Sequence, residues 1–167
     1  MTIHTDHPFA TPPGDRDPLR RLRGHLPAAV SLWTAGEGRA RVGLTVSSFM
    51  IGAGDPAVVL GLVDEESDFW EEEPERFVVN LATSGHEFLS DAFAGVAPAP
   101  GGPFTLAQWE ESAWGPVLTG AAGWIGVRRT TDARHAGWGL LVEAQVEHVE
   151  VSDAAVLSHE RGRYHAR

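Results

Sequence analysis

Residues 28–46, AAVSLWTAGEGRARVGLTV, predict a β-hairpin from which the rest of the fold can be worked out. Residues 28–35 form a mostly apolar run of strand length, and residues 39–46 form a second run that ends on Leu-Thr-Val. The Gly-Glu-Gly sequence at 36–38 separates the two runs, and glycine is favoured in tight turns. Strands joined by so short a connection lie antiparallel.

The same pattern of short strands continues towards the C-terminus. A turn is predicted at residues 52–56, where Gly, Asp and Pro cluster. Further strands are predicted at residues 57–63, 76–82, 121–131 and 138–151. The first of these reads AVVLGLV, and its nearly continuous apolar character predicts burial on both faces.

Helices are few by comparison. They are predicted at residues 18–26, at 84–93 and, as one or two turns, within 64–75. Asp17 and Pro18 form a favourable start for the first helix, and Ser84 is the predicted N-cap of another. Many strands with few helices favour an antiparallel barrel or sandwich over a parallel sheet. A Rossmann site is not indicated, because no Gly-x-Gly-x-x-Gly joins a strand to a helix.

The composition excludes several kinds of chemistry. The 167 residues include no cysteine, which excludes disulfide scaffolds, thiolate zinc sites and cysteine nucleophiles. They also include no lysine, which excludes Schiff-base catalysis and the lysine of a P-loop. The eight histidines show no metal-ligand spacing, so no metal site is expected. A net charge of −10 repels phosphate backbones, so a nucleic-acid partner is not expected.

The length predicts one domain, residues 18–167, preceded by a flexible arm at residues 1–17. The arm is polar and rich in proline and histidine, and it lacks the apolar stretch of a secretory signal. No apolar run approaches the roughly 20 residues of a membrane span. A cytoplasmic protein without membrane segments is therefore expected.

The segment at residues 43–49, GLTVSSF, is the first candidate for a binding site. Thr45, Val46, Ser47 and Ser48 combine an extended backbone with three short hydroxyl side chains. Such a strand edge suits a flat heteroaromatic ring with alternating donors and acceptors, because small side chains let the backbone approach it. An ordinary strand end that leads into a turn has the same residue types.

The order of several segments resembles the flavin reductase family of FMN-binding split barrels. The matching segments are residues 32–35, 43–49, 55–62, Ser67, 77–81, 93–94, 115–118 and 161–164. The resemblance covers roughly residues 18–164. It implies a mainly β fold, an antiparallel split β-barrel of Greek-key type with a few flanking helices.

The resemblance also implies a function and a set of site residues. Family members bind FMN or FAD at a homodimer interface, many reduce it with NADH or NADPH, and some pass it to a partner monooxygenase. By resemblance, the segment from Thr45 through Val46 and Ser47 to Ser48 contacts the flavin. Ser67 then lies near the ribityl chain or phosphate, and Asn80 lies beside the same pocket. No catalytic protein residue is expected, since the cofactor carries the chemistry.

Two positions depart from the family pattern. Acidic residues surround Ser67, so Arg76 is the expected substitute partner for the flavin phosphate. Many relatives carry a histidine near the nicotinamide, and Trp138 stands at the aligned position here, with His135 three residues earlier. We therefore expect Trp138 to contact the nucleotide, while a role in the barrel core stays open for it.

A further basic group consists of Arg128, Arg129 and Arg134, for which pairing with acidic residues and contact with a phosphate are both open. The leading functional hypothesis is an NAD(P)H-dependent flavin reductase. A flavin- or deazaflavin-dependent reductase of an organic substrate is a second hypothesis. A flavin carrier or sensor without nucleotide turnover is a third.

Overall fold

The computed structural model describes residues 17–166. The predicted arm at residues 1–17 lies outside the described residues except for Asp17. The helices are α1 (Pro18–His25), α2 (Asp68–Glu71) and α3 (Glu87–Phe93). The strands are β1 (Ala28–Ala29), β2 (Ser31–Ala35), β3 (Val42–Val46), β4 (Phe49–Gly52), β5 (Val58–Val63), β6 (Arg76–Leu81), β7 (Trp109–Glu111), β8 (Pro116–Leu118), β9 (Gly123–Arg129), β10 (Arg134–Ala136), β11 (Gly139–Val151), β12 (Leu157–Glu160) and β13 (Arg163–Ala166).

One curled sheet dominates the fold. Its strand order is β3-β2-β6-β9-β11-β5-β4, with β10 added to β11, and every pairing is antiparallel. The two strands at the ends of this order, β3 and β4, follow each other in the chain with only Ser47 and Ser48 between them. The chain thus crosses from one edge of the sheet to the other at this pair, which we call the seam. The predicted antiparallel split barrel is confirmed.

The inside of the curled sheet holds the main hydrophobic core. Trp33 lies at its centre, where its ring stacks on Phe77 at 5.0 Å and meets Phe69 edge-on at 6.2 Å. Gly61 of β5 faces this indole so closely that an added Cβ would lie 2.5 Å from the ring. Glycine at this point therefore lets β5 approach Trp33, and the core fixes the strand that borders the seam.

α3 packs outside the sheet and supports the seam from that side. The hydroxyl of Thr45 donates to the carbonyl of Ser90 at 2.6 Å, and Gly43 lies directly under the ring of Phe93. The phenol of Tyr164 donates to Asp91 at 2.5 Å, which ties the C-terminal hairpin to the same helix. Strand β3 and hairpin β12–β13 are thereby held against one rigid element.

Two local predictions differ from the structure. Strand β5 is not buried on both faces: Val59 and Val63 point into the core, whereas Leu62 is 41% exposed. The third helix begins at Glu87 rather than Ser84, because Gly85 has a φ of 95° that a helix does not accommodate. In addition, residues 161–164, named above only for the family resemblance, belong to a hairpin of two strands, β12 and β13.

No helix in residues 17–166 has the length and apolar character needed to cross a membrane.

Candidate functional site

A cavity of about 1020 Å³ lies beside the seam, between the curled sheet, α1 and the C-terminal hairpin. Its floor is the outward face of the sheet, where the apolar side chains of Met50, Leu60, Leu62 and Leu141 lie side by side. The alternation of β5 places Leu60 and Leu62 on the face opposite to the core residues of the same strand. The floor is thus apolar and open to a ligand.

The seam supplies a polar edge to this floor. Ser47 and Ser48 both line the cavity and both are exposed. The carbonyl of Ser48 accepts the N–H of Leu62 at 2.9 Å, which holds the seam against β5. The carbonyl of Val46 accepts the hydroxyl of Ser31 at 2.6 Å. The two serine hydroxyls therefore stand on a fixed backbone at the rim of the floor.

The opposite wall is cationic. Arg20 and Arg23 of α1 and His159 of β12 line the cavity, and no acidic residue does so in the described part of the chain. This is notable in a chain with 23 acidic residues and 13 arginines. Arginine binds phosphate through paired N–H donors, so this wall suits an anionic group attached to a flat ring.

Two members of the predicted flavin segment face away from the cavity. The hydroxyl of Thr45 is bonded to α3 as described, and Val46 is buried in the main core. Their backbone leads directly into the seam. The structure therefore brings together Ser47 and Ser48 at the cavity, and it places Thr45 and Val46 behind them.

Asn80 and Ser67 also lie outside the cavity lining. Asn80 is fully buried; its amide donates to the Leu32 carbonyl and the Thr34 hydroxyl, both at 3.0 Å, and its oxygen accepts the N–H of Leu118 at 2.8 Å. Ser67 is the N-cap of α2, where its hydroxyl accepts the N–H of Trp70 and donates to a carbonyl. Both side chains have hydrogen-bond partners within the fold, and their contact with a ligand stays a prediction.

Trp138 lies at the tip of the hairpin between β10 and β11 and is fully exposed. Gly137 precedes it with a φ of 61°, as the first position of a tight two-residue hairpin turn allows. A role for Trp138 in the barrel core is therefore wrong. His135 is also exposed, and its ring nitrogen lies 3.9 Å from the Glu65 carboxylate. Neither side chain is part of the cavity lining within this single chain.

Of the four arginines singled out in the sequence, Arg76, Arg128 and Arg129 take structural partners, and Arg134 is exposed in β10. Arg128 lies 3.2 Å and Arg76 3.9 Å from carboxylate oxygens of Glu147. Arg129 donates to backbone carbonyls that precede β6 and lies over the ring of Trp70 at 5.1 Å. The hydrogen bond from the Trp114 indole, together with the bond and charge of Arg128, lowers the pKa of Glu147. These arginines lie away from the cavity.

The cationic wall was missed by the sequence interpretation. Its signal was present in α1, whose sequence PLRRLRGH places Arg20 and Arg23 three residues apart and hence on one helix face. The contribution of His159 could not be read locally, because it depends on the pairing of β12 with β1 and β13.

These residues fit a flavin. Its ring system matches the apolar floor, its polar ring edge matches the two serine hydroxyls, and its phosphate matches the arginines of α1. The described residues contain no group of three or more acidic, histidine or cysteine side chains placed to hold a metal ion. The fold and cavity thus define a split-barrel protein with a candidate site for an anionic ring ligand.

Comparison with known proteins agrees with this class. The family described as "Flavin reductase like domain" matches residues 23–166, and the chain belongs to this family. The FMN reductase (NADH) RutF of Ancylobacter novellus is 33% identical over 109 residues, which are 64% of this chain and 60% of that protein. The chain therefore spans less than two thirds of the length of this relative.

Two solved structures show the same fold. The NADH:FAD oxidoreductase SgcE6 of Streptomyces globisporus has a TM-score of 0.80 at 23% identity, covering 95% of this chain and 96% of the other. The nitrilotriacetate monooxygenase component B homologue of Mycobacterium thermoresistibile has a TM-score of 0.77 at 25% identity, covering 88% and 83% of the two chains. The likeness extends over nearly the whole chain in both cases.

Proposed function

We propose that this protein is an NAD(P)H-dependent flavin reductase that supplies reduced FMN or FAD. The observation that carries the proposal is the cavity at the seam, with an apolar floor between serine hydroxyls and arginines. Membership of the flavin reductase like family and the 33% identity to an FMN reductase that uses NADH support it.

In this proposal the chain binds and orients, and it contributes no nucleophile. A bound flavin supplies the redox chemistry, which is hydride transfer to its ring. Ser47 and Ser48 hold the polar ring edge, the floor around Leu60 and Leu62 excludes water from one ring face, and Arg20 or Arg23 holds the phosphate. Catalysis then requires only that the nicotinamide be held about 3–3.5 Å from the flavin ring.

We assign the nicotinamide contact to Trp138. Its indole is fully exposed on a tight hairpin, so it is free to stack on a flat ring. Within one chain it lies outside the cavity lining. The assignment therefore requires that Trp138 reach the cavity of a second subunit or that the nucleotide extend to the hairpin.

The proposed assembly is a homodimer. Large apolar side chains are exposed around the cavity: Met50 and Leu62 on the sheet, and Leu19, Leu22 and Leu26 on α1. A second copy that covers this surface would bury it and close the flavin site. An obligate interface of this kind buries about 2,000 Å² or more. Light scattering at micromolar concentration measures the oligomeric state. A monomer that retains flavin would contradict the proposed homodimer.

The consumer of the reduced flavin is proposed to be a partner monooxygenase. The Mycobacterium thermoresistibile relative carries the name of a monooxygenase component, and it shares the fold over 88% of this chain. The reaction consumes a pyridine nucleotide, so we place the protein in the cytoplasm.

The flavin site is tested by the double variant Ser47→Leu/Ser48→Leu. The leucines would occupy the rim where the ring approaches the backbone, so flavin affinity should fall at least tenfold, a change of about 1.4 kcal/mol in binding free energy. Ser84→Leu is the matched control, since Ser84 is also exposed but does not line the cavity. Binding is read from the quenching of flavin fluorescence, and the fold is checked by circular dichroism.

Equal flavin affinity of the double variant and the control, with both folded, would remove the assignment of the seam. Steady-state oxidation of NADH that scales with added free flavin tests the activity. Tight flavin binding without any oxidation of NADH or NADPH would favour a flavin carrier instead.

A further inference from the structure

A second, smaller cavity adjoins the cationic wall and is not needed for the ring site. It has a volume of about 320 Å³ and is lined by Arg20, Arg21, Gly24, His25 and Arg161. It lies between α1 and the turn of the hairpin β12–β13, and we call it the arginine notch. Every side chain that lines it is a cation or a titratable histidine, and none is acidic.

Arg161 occupies the notch at a conformational cost. It has a φ of 52° and is followed by Gly162 with a φ of 76°, so both central residues of this two-residue turn are left-handed. Such a turn favours Asn-Gly or Gly-Gly, since the left-handed region is unfavourable for residues with long side chains. The sequence thus keeps an arginine where asparagine would be less strained, which points to a use for its guanidinium.

The notch is a fixed feature because its two walls are joined. The backbone N–H of Arg161 donates to the carbonyl of Gly24 at 2.7 Å. The side chain of Asp17 caps the start of α1. The backbone of the turn at Arg161 is therefore held against the backbone of α1, which carries Arg20.

The charge in the notch is not neutralised by the described carboxylates. Arg41, Arg76 and Arg128 each lie within 4 Å of a glutamate oxygen. No such ion pair within residues 17–166 includes Arg21 or Arg161. The helix dipole explains why His25 stands at the C-terminal end of α1. It does not explain the positions of the arginines in the notch.

The two cavities adjoin each other at two shared residues. Arg20 and Gly24 line both the arginine notch and the main cavity. A ligand with a flat ring on the leucine floor and a charged extension would pass Arg20 and end between Arg21 and Arg161.

We propose that the arginine notch binds the phosphate groups of the adenylate half of a dinucleotide whose other half lies in the main cavity. This inference rests on the proposed function, because FAD and NAD(P)H are the two dinucleotides of that reaction. The chemistry is the same for both: paired guanidinium groups donate hydrogen bonds to the oxygens of two adjacent phosphates. FMN, which ends at its single phosphate, would not need the notch.

The test uses two variants of the notch that leave the lining of the main cavity intact. Arg21→Gln removes one charge, and Arg161→Asn removes another while restoring the residue that the turn favours. Arg39→Gln is the matched control, since Arg39 is exposed in the short 3₁₀ turn Gly38–Ala40 and loses the same charge. Affinities for ADP, FMN, FAD and NADH are measured by titration calorimetry on the full chain.

Each notch variant should weaken ADP binding, and the binding of FAD or NADH, by about tenfold relative to the control, while FMN changes less than about twofold. Arg161→Asn should also raise Tm by about 2–4 °C, because the strain is relieved. Loss of affinity in a more stable protein excludes unfolding as its cause. The dinucleotide that loses affinity, FAD or NADH, identifies which ligand extends into the notch.

Equal affinities of the notch variants and the control for ADP, FAD and NADH would overturn the inference. So would a loss of dimer mass without a change in ADP binding, because an acidic segment of a second copy would then be the partner of the notch. ADP contains neither flavin nor nicotinamide. If the wild type and the notch variants show the expected ADP affinities but the protein binds no flavin, the proposed function is contradicted. The assignment of the notch as a phosphate site would then still stand.

Discussion

Replacing Asn80 by alanine tests whether this residue holds the barrel together or meets the ligand. Family resemblance places Asn80 beside the flavin, whereas the structure encloses it between β2, β6 and β8. Its side chain makes three hydrogen bonds, to Leu32, Thr34 and Leu118, at 2.8–3.0 Å and with no exposure to solvent. We expect Asn80→Ala to destabilise the fold strongly.

The expected loss of stability can be estimated from the three hydrogen-bond partners that Asn80→Ala leaves behind. Each hydrogen bond contributes about 1 kcal/mol net, and a buried donor left without a partner costs about 1–3 kcal/mol. The N–H of Leu118 becomes such a donor. The free energy of unfolding should therefore fall by about 3–5 kcal/mol, and Tm by about 10 °C for a chain of this size.

Urea denaturation followed by tryptophan fluorescence measures this loss, and Thr34→Val provides the partner for a double-mutant cycle. Coupling of about 0.5–1.5 kcal/mol between Asn80 and Thr34 is expected, because one hydrogen bond joins them directly. Flavin affinity of the folded fraction should stay within twofold of the wild type. A stable Asn80→Ala protein that loses its flavin would refute this reasoning and make Asn80 a ligand contact.

Three further outcomes are expected. Trp138→Ala should raise the KM for NADH severalfold while His135→Ala leaves it unchanged, and turnover abolished by His135→Ala alone would reverse this assignment. Tyr164→Phe should cost about 1–2 kcal/mol of stability by removing the bond to α3; because burial and the neighbouring carboxylate raise the pKa of this single tyrosine, an ultraviolet titration should show no ionisation at pH 10 while the protein is folded. The ring nitrogen Nδ1 of His86 accepts the N–H of Thr83, and burial lowers the pKa of His86 below its ordinary 6.5. The free energy of unfolding should therefore be highest above pH 6.5 and fall as the pH drops towards the lower pKa that His86 has in the folded state. An equal fall in the His86→Gln variant would show that another group is responsible.

The strands were predictable because their signal is local. The run at 28–46 contains two apolar segments and a glycine turn, and the structure pairs them with Leu32 opposite Thr45. The helix at α1 was predicted from Asp17 and Pro18, which form its observed N-terminus. Both depend on residues that lie close together in the chain.

Most features that the sequence did not reveal depend on contacts between distant segments. A continuous apolar run such as β5 gives no indication of which face meets the core, and only the sheet order leaves Leu62 outside. Asn80 has the same residue type in either role, and its partners lie 38 to 48 residues away. The glycine at 85 was the one local sign against a helix start at Ser84.

The position of the seam explains why a short hydroxyl segment marks the site. In an antiparallel sheet every interior strand uses its backbone groups on both sides, so ligands can reach backbone only where pairing stops. Here both edges of the curled sheet meet at Ser47 and Ser48, and small side chains leave that backbone accessible. The same closure brings the leucines of β5 next to the seam, since Leu62 bonds to Ser48. A polar edge and an apolar floor are thus placed together by one topological feature, and the arginines of α1 add the charge that neither strand supplies.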